Sequence, residues 1–149
     1  MECSRPGASA VALWATQRLL PLKPGGELAQ GLSASRRAAL RFAELLRADP
    51  NFVVPFDPEL DIVVWKLNAE DKKLASERAH RVFDACATRD LHLALVELPL
   101  TWFEPSWLDA KGEESGTVTC LRSVLMKPEH EAWLNSIWER LTAACADVL

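Results

Sequence analysis

From residue 52 onward the apolar residues of this chain alternate between a strand's spacing and a helix's, and that order of spacings leaves few folds open. Ile62-Val63-Val64-Trp65-Lys66-Leu67 is rich in β-branched residues and predicts a central strand. Before it, Phe52-Val53-Val54-Pro55-Phe56 predicts a short strand, which Pro55 confines to an edge or a bulge. After it, Ala75, Ala79, Val82, Phe83 and Cys86 recur at steps of three and four, the stripe of a helix lying on a sheet. Residues 91–98 and 117–126 predict two further strands, separated by a loop that carries Trp102, Phe103 and Trp107. Pro128 suits the first turn of a last helix, whose stripe is Leu134, Ile137, Trp138, Leu141 and Cys145. Pairs of strands set between helices imply an α+β fold, a small and mainly antiparallel sheet covered on one face by helices and preceded by two helices.

Those two helices occupy the first 50 residues. Ser4 can cap the first, which runs from Ala8 to the residue before Pro21. Ala10, Val11, Leu13, Trp14 and Ala15 wrap most of its circumference, and a helix apolar on most sides must be covered on most sides. So short a chain has little to wrap around it, which points to a missing partner. The second helix is expected over 33–47, with Ala39, Phe42, Ala43 and Leu46 inward and Arg36, Arg37, Arg41 and Arg47 mostly on a solvated face. The expected division is a helical segment over 1–50 and a small α+β domain over 51–149.

With 149 residues and a net charge of −4, the chain is one domain or one lobe, without the basic face of a nucleic-acid binder. Its longest uncharged apolar stretch is too short to span a bilayer, and no secretory pattern opens it, so the expected compartment is the cytoplasm. Cys3, Cys86, Cys120 and Cys145 lie far apart, with no C-x-x-C pair and no zinc-finger spacing; they read as small packing residues kept reduced. No Walker loop, no G-x-G-x-x-G, no H-E-x-x-H and no G-x-S-x-G is present. His80, His92 and His130 have no evident catalytic partner, so no catalytic residue is assigned. Arg122 differs, because it sits inside an apolar strand. Its guanidinium must snorkel, pair, or face a cavity, and its planar fork suits a bidentate grip on a carboxylate. Strand alternation alone also permits an arginine on the open face of a sheet, and the residues leave both readings open.

Three stretches carry a resemblance. Glu2-Cys3-Ser4-Arg5-Pro6-Gly7-Ala8 leads into an apolar helix containing Trp14. Pro58-Glu59-Leu60-Asp61-Ile62-Val63-Val64-Trp65 forms a strand. Leu121-Arg122-Ser123-Val124-Leu125-Met126-Lys127-Pro128 runs from strand to helix. In this order they resemble the C-terminal part of the pyridoxal-phosphate-dependent group II amino-acid decarboxylases, members of the fold-type-I aminotransferase-like superfamily. The likeness spans the whole chain and the last part of the family's length.

The resemblance implies the fold of that superfamily's small C-terminal domain and a role in closing a carboxy-lyase active site. It makes Arg122 the residue that holds the substrate carboxylate. It places Ser4 near the phosphate of pyridoxal 5'-phosphate, where a hydroxyl at a helix N-terminus suits an anion, with Arg5 beside it. The family's Schiff-base lysine and pyridine-nitrogen partner precede the Ser-Arg-Pro-Gly turn. None of Lys23, Lys66, Lys72, Lys73, Lys111 and Lys127 matches that lysine. The chain is therefore expected to be inactive alone, without a covalent hold on the cofactor. Its expected partners are further copies of itself, or a chain carrying the large domain, together with an amino-acid substrate. The other reading is a free-standing, non-catalytic α+β module that binds another protein through the first helix.

Overall fold

The computed structural model describes residues 7–103 and 116–149. The elements are α1 (Ala8–Leu19), α2 (Glu27–Ala48), β1 (Phe52–Val53), β2 (Ile62–Leu67), α3 (Lys72–Ala87), β3 (Ala94–Pro99), β4 (Thr117–Val124) and α4 (His130–Ala146), with a short 3₁₀ turn over Leu100–Trp102. The four strands form one sheet in the order β1-β2-β4-β3, and every pairing is antiparallel. The fold is α+β, as the alternating periods imply, and β2 lies inside the sheet.

Boundaries moved where backbone chemistry outweighed the side-chain pattern. Helix α2 begins at Glu27 rather than at 33, because extended Gly26 caps it, Glu27 complements its N-terminal dipole and Gln30 Nε2 donates to the Gly25 carbonyl at 3.0 Å. Gly31 inside α2 serves a close approach: a Cβ there would lie 3.3 Å from Pro128 Cγ. Strand β1 is only two residues long, since Pro55 cannot donate to a ladder. Strand β3 starts three residues later than expected: Asp90 adopts a φ of 54° and the Leu91 N–H donates back to the Cys86 carbonyl, closing the end of α3, and pairing with β4 begins only at Ala94. Pro128 lies in the turn before α4, where the His130 N–H donates to the Lys127 carbonyl at 3.0 Å.

The sheet register decides which side chain faces what. Phe52 pairs with Leu67, Trp65 with Leu121 and Val63 with Ser123, so these residues share one face. Phe42 of α2, Ala79 and Val82 of α3, and Leu134 and Leu141 of α4 pack against that face and form the main core. Phe42 meets Trp65 edge to face at 5.4 Å and an interplanar angle of 87°. Bidentate Arg37–Glu131 hydrogen bonds, both 2.8 Å, tie α2 to α4. The other face carries a smaller cluster of Val64, Val118, Cys120 and Leu98, roofed by Leu100 and Phe103. Helix α1 has no buried residue at all.

Asp71 starts α3 by accepting the Leu74 N–H at 2.8 Å. Asp71→Ala is expected to cost about 1 kcal/mol, the usual worth of such a cap. Urea denaturation checks this: the midpoint should fall with the slope unchanged.

Candidate functional site

Arg122 lies in β4 with Val64 of β2 and Ala94 of β3 as its register partners. Alternation places its side chain on the face opposite Leu121, away from the helices. The residue is half-buried. Its Nε is closed from solvent without a hydrogen-bond partner, and no carboxylate pairs with the guanidinium among the described residues. A groove of about 500 Å³ opens at this end of the sheet, where 91–93 leave β4; Arg122, His92, Lys127, His130 and Trp133 are among its lining residues. His130 packs its ring 5.8 Å from Trp133 and is half-buried. No sequence pattern signals that these histidines share a groove with Arg122, because the splaying of 91–93 that creates it is a tertiary feature.

Lys66, near the end of β2, is fully buried, 1% exposed, with its Nζ 5.6 Å from the Phe103 ring centroid. Burial pushes its pKa down to about 8, partly opposed by the nearby Cys120 thiol. Trp102 meets Phe56 edge to face at 5.5 Å, so the residues after β3 cover part of the open sheet face. Ser4 and Arg5, expected near a cofactor phosphate, lie outside the described residues, as do Cys3, Trp107 and Lys111.

Cys86, Cys120 and Cys145 are buried free thiols. Burial raises their pKa values to about 11, 12 and 12. The thiolate is the reactive form, so all three should resist a disulfide reagent at pH 8 in the folded chain and react only as it unfolds. Rapid labelling of any of them under native conditions, read by mass spectrometry, would contradict this packing.

Neither a family model nor a curated protein sequence matches the chain significantly. Solved structures do match its fold. Catharanthus roseus tryptophan decarboxylase in complex with L-tryptophan superposes with a TM-score of 0.68 at 17% identity, over 94% of this chain and 26% of that one. The Oryza sativa TDC with PLP and tryptamine gives 0.64 at 16%, over 91% and 26%. The glutamate decarboxylase domain of a Vibrio parahaemolyticus transaminase–decarboxylase protein gives 0.58 at 16%, over 93% and 26%. This fold is that of the C-terminal portion of the pyridoxal-phosphate-dependent group II decarboxylases, as the three motifs implied. The chain spans about a quarter of the length of these enzymes.

The described residues do not by themselves fit pyridoxal phosphate. Covalent hold of the cofactor needs a reachable lysine, with a fixed carboxylate for the pyridine nitrogen. Lys66 is buried against Phe103, Lys72 is half-buried, Lys23 and Lys73 are exposed, and Lys127 is exposed at the groove itself, so what the described residues lack there is the fixed carboxylate. The Asp90 carboxylate at the groove is 92% exposed.

Proposed function

We propose that this chain is the C-terminal part of a pyridoxal-phosphate-dependent, decarboxylase-like carboxy-lyase, that it closes the active site, and that Arg122 binds the substrate's carboxylate there. The observation that carries the reading is Arg122 itself: a half-buried guanidinium on the sheet face away from the helices, with no carboxylate beside it among the described residues, within a decarboxylase fold. A guanidinium in a partly dry groove favours an anionic ligand and can grip both carboxylate oxygens. Ser4 and Arg5 would border the cofactor phosphate. The lysine and the pyridine-nitrogen partner would come from outside these 149 residues. The working unit would be an assembly in the cytoplasm, either a homo-oligomer or a complex with a chain carrying the large domain. The non-catalytic interaction module stands as a second reading, favoured by the exposed apolar surface of α1.

Two measurements test the enzymatic reading. Borohydride treatment of the chain with pyridoxal phosphate should fix no pyridoxyl group on any one lysine; a stoichiometric adduct lost on changing a single lysine would overturn the reliance on a partner. Combined with a chain that carries the lysine-bearing large domain, the protein should support amino-acid decarboxylation. Arg122→Ala should then lower kcat/KM at least about tenfold, with Arg122→Lys recovering little because an ammonium cannot make the bidentate grip. Full activity in Arg122→Ala would remove this role from the residue.

A further inference from the structure

Two surfaces are left open by the described residues, and they match. The first is α1, in which Val11, Leu13 and Trp14 are 64%, 61% and 60% exposed. Its one charged residue is Arg18, whose guanidinium lies 5.1 Å from the Trp14 ring centroid and meets no carboxylate among the described residues. The second lies on the sheet face away from the helices. Ile62 and Val124 are direct register partners there, 45% and 37% exposed, and Leu60 is 69% exposed. A hollow of about 420 Å³ runs between Phe56, Leu60, Ile62 and Val64. Asp57, Glu59 and Asp61 line it as well. Arg47 takes the Asp57 carboxylate at 2.7 Å, whereas those of Glu59 and Asp61 meet no cation among the described residues.

We propose that α1 of one copy docks its apolar side into this hollow on a second copy, with Arg18 directed at Glu59 and Asp61. Contiguous exposed apolar surface of this kind marks association sites. The charges agree in sign: the helix carries only a cation, and the hollow keeps two unpaired carboxylates. The same contact made in both directions closes a two-fold dimer and leaves no open end to polymerise. Reciprocity also answers the question of size. A 12-residue helix is about 18 Å long, and one such contact alone falls short of the roughly 1,000 Å² that a stable interface buries. The inference rests on the assembly half of the reading above.

Sedimentation velocity on the full chain over a micromolar to sub-millimolar series tests it. A monomer–dimer equilibrium is expected. Trp14→Asp and Leu60→Asp, both at exposed positions, should each weaken it at least about tenfold, as loss of a central apolar contact does. Their far-ultraviolet circular dichroism and melting should match the parent. Arg18→Glu should weaken the dimer, and Asp61→Arg in the same chain should restore it. A monomer throughout the series overturns the proposal, as does a dimer indifferent to Leu60→Asp. Association seen only with a large-domain chain overturns it too, while leaving the wider assembly reading in place.

Discussion

Trp65→Ala is expected to lower the unfolding free energy by about 3–5 kcal/mol, the range for truncating a fully buried large aromatic. Trp65 is 0% exposed on internal strand β2, pairs across the sheet with Leu121 and meets the Phe42 ring edge to face. Phe42 in turn contacts Trp138 at 6.4 Å, and Trp138 contacts Phe52 at 5.9 Å. One side chain thus joins the sheet to α2 and, through Phe42, to α4. The Trp65 Nε1 is buried without a hydrogen-bond partner, so the residue is there for its ring rather than its N–H. Its neighbours are held by backbone elements on both sides and cannot collapse into the space left behind. For a chain of this length the loss corresponds to a fall in melting temperature of roughly 10 °C. Chemical and thermal denaturation check it. A cost below about 1 kcal/mol would place the main core elsewhere.

The second large effect concerns pH. Lys66 is buried, and its pKa is lowered from the ordinary 10.5 to about 8. Below pH 8 the lysine is protonated in both the folded and unfolded chain, and folding carries the full cost of burying the charge. Between about 8 and 10.5 the unfolded chain binds more protons than the folded one, so this group makes stability rise with pH across that window. The span corresponds to an effect on the order of 3 kcal/mol. The thiols act oppositely: their raised pKa values mean that their contribution is whole below about 9 and is lost as pH climbs toward 11 or 12. Measuring the chain against Lys66→Met isolates the lysine below about pH 9, where the thiols are protonated in both chains. The stability difference should move in favour of the parent as pH increases from about 7 to about 9; a flat difference would show that Lys66 keeps an ordinary pKa.

Much of the architecture was legible in the residues because local chemistry and tertiary structure agree there. Strand β2 falls at 62–67 as its β-branched run implied, and the stripe Ala75, Ala79, Val82 and Cys86 is the buried side of α3. Disagreement was confined to places where a backbone group found a partner that side-chain patterns do not announce. Extended Gly26 starts α2 early, and the turn at Asp90 delays β3. For the site, the sequence could single out Arg122 as an oddity within an apolar strand. It could not tell an open sheet face from a groove, because that depends on where 91–93 travel. Lys66 shows the same limit from the other side, since a lysine near a strand end normally reaches water, whereas here it is buried with Phe103 packed against it.

What the residues determined unaided was the order of elements, the antiparallel α+β architecture and an opening helix too apolar to stand alone. These follow from spacing along the chain, which dictates the faces of helices and strands before anything packs. Tertiary structure alone decided which sheet face the helices cover, which cations become buried, and that the opening helix stays uncovered while an acidic-rimmed hollow is left on the opposite face of the sheet. Such properties depend on segments distant in the chain meeting in space, and no local pattern encodes a meeting of that kind.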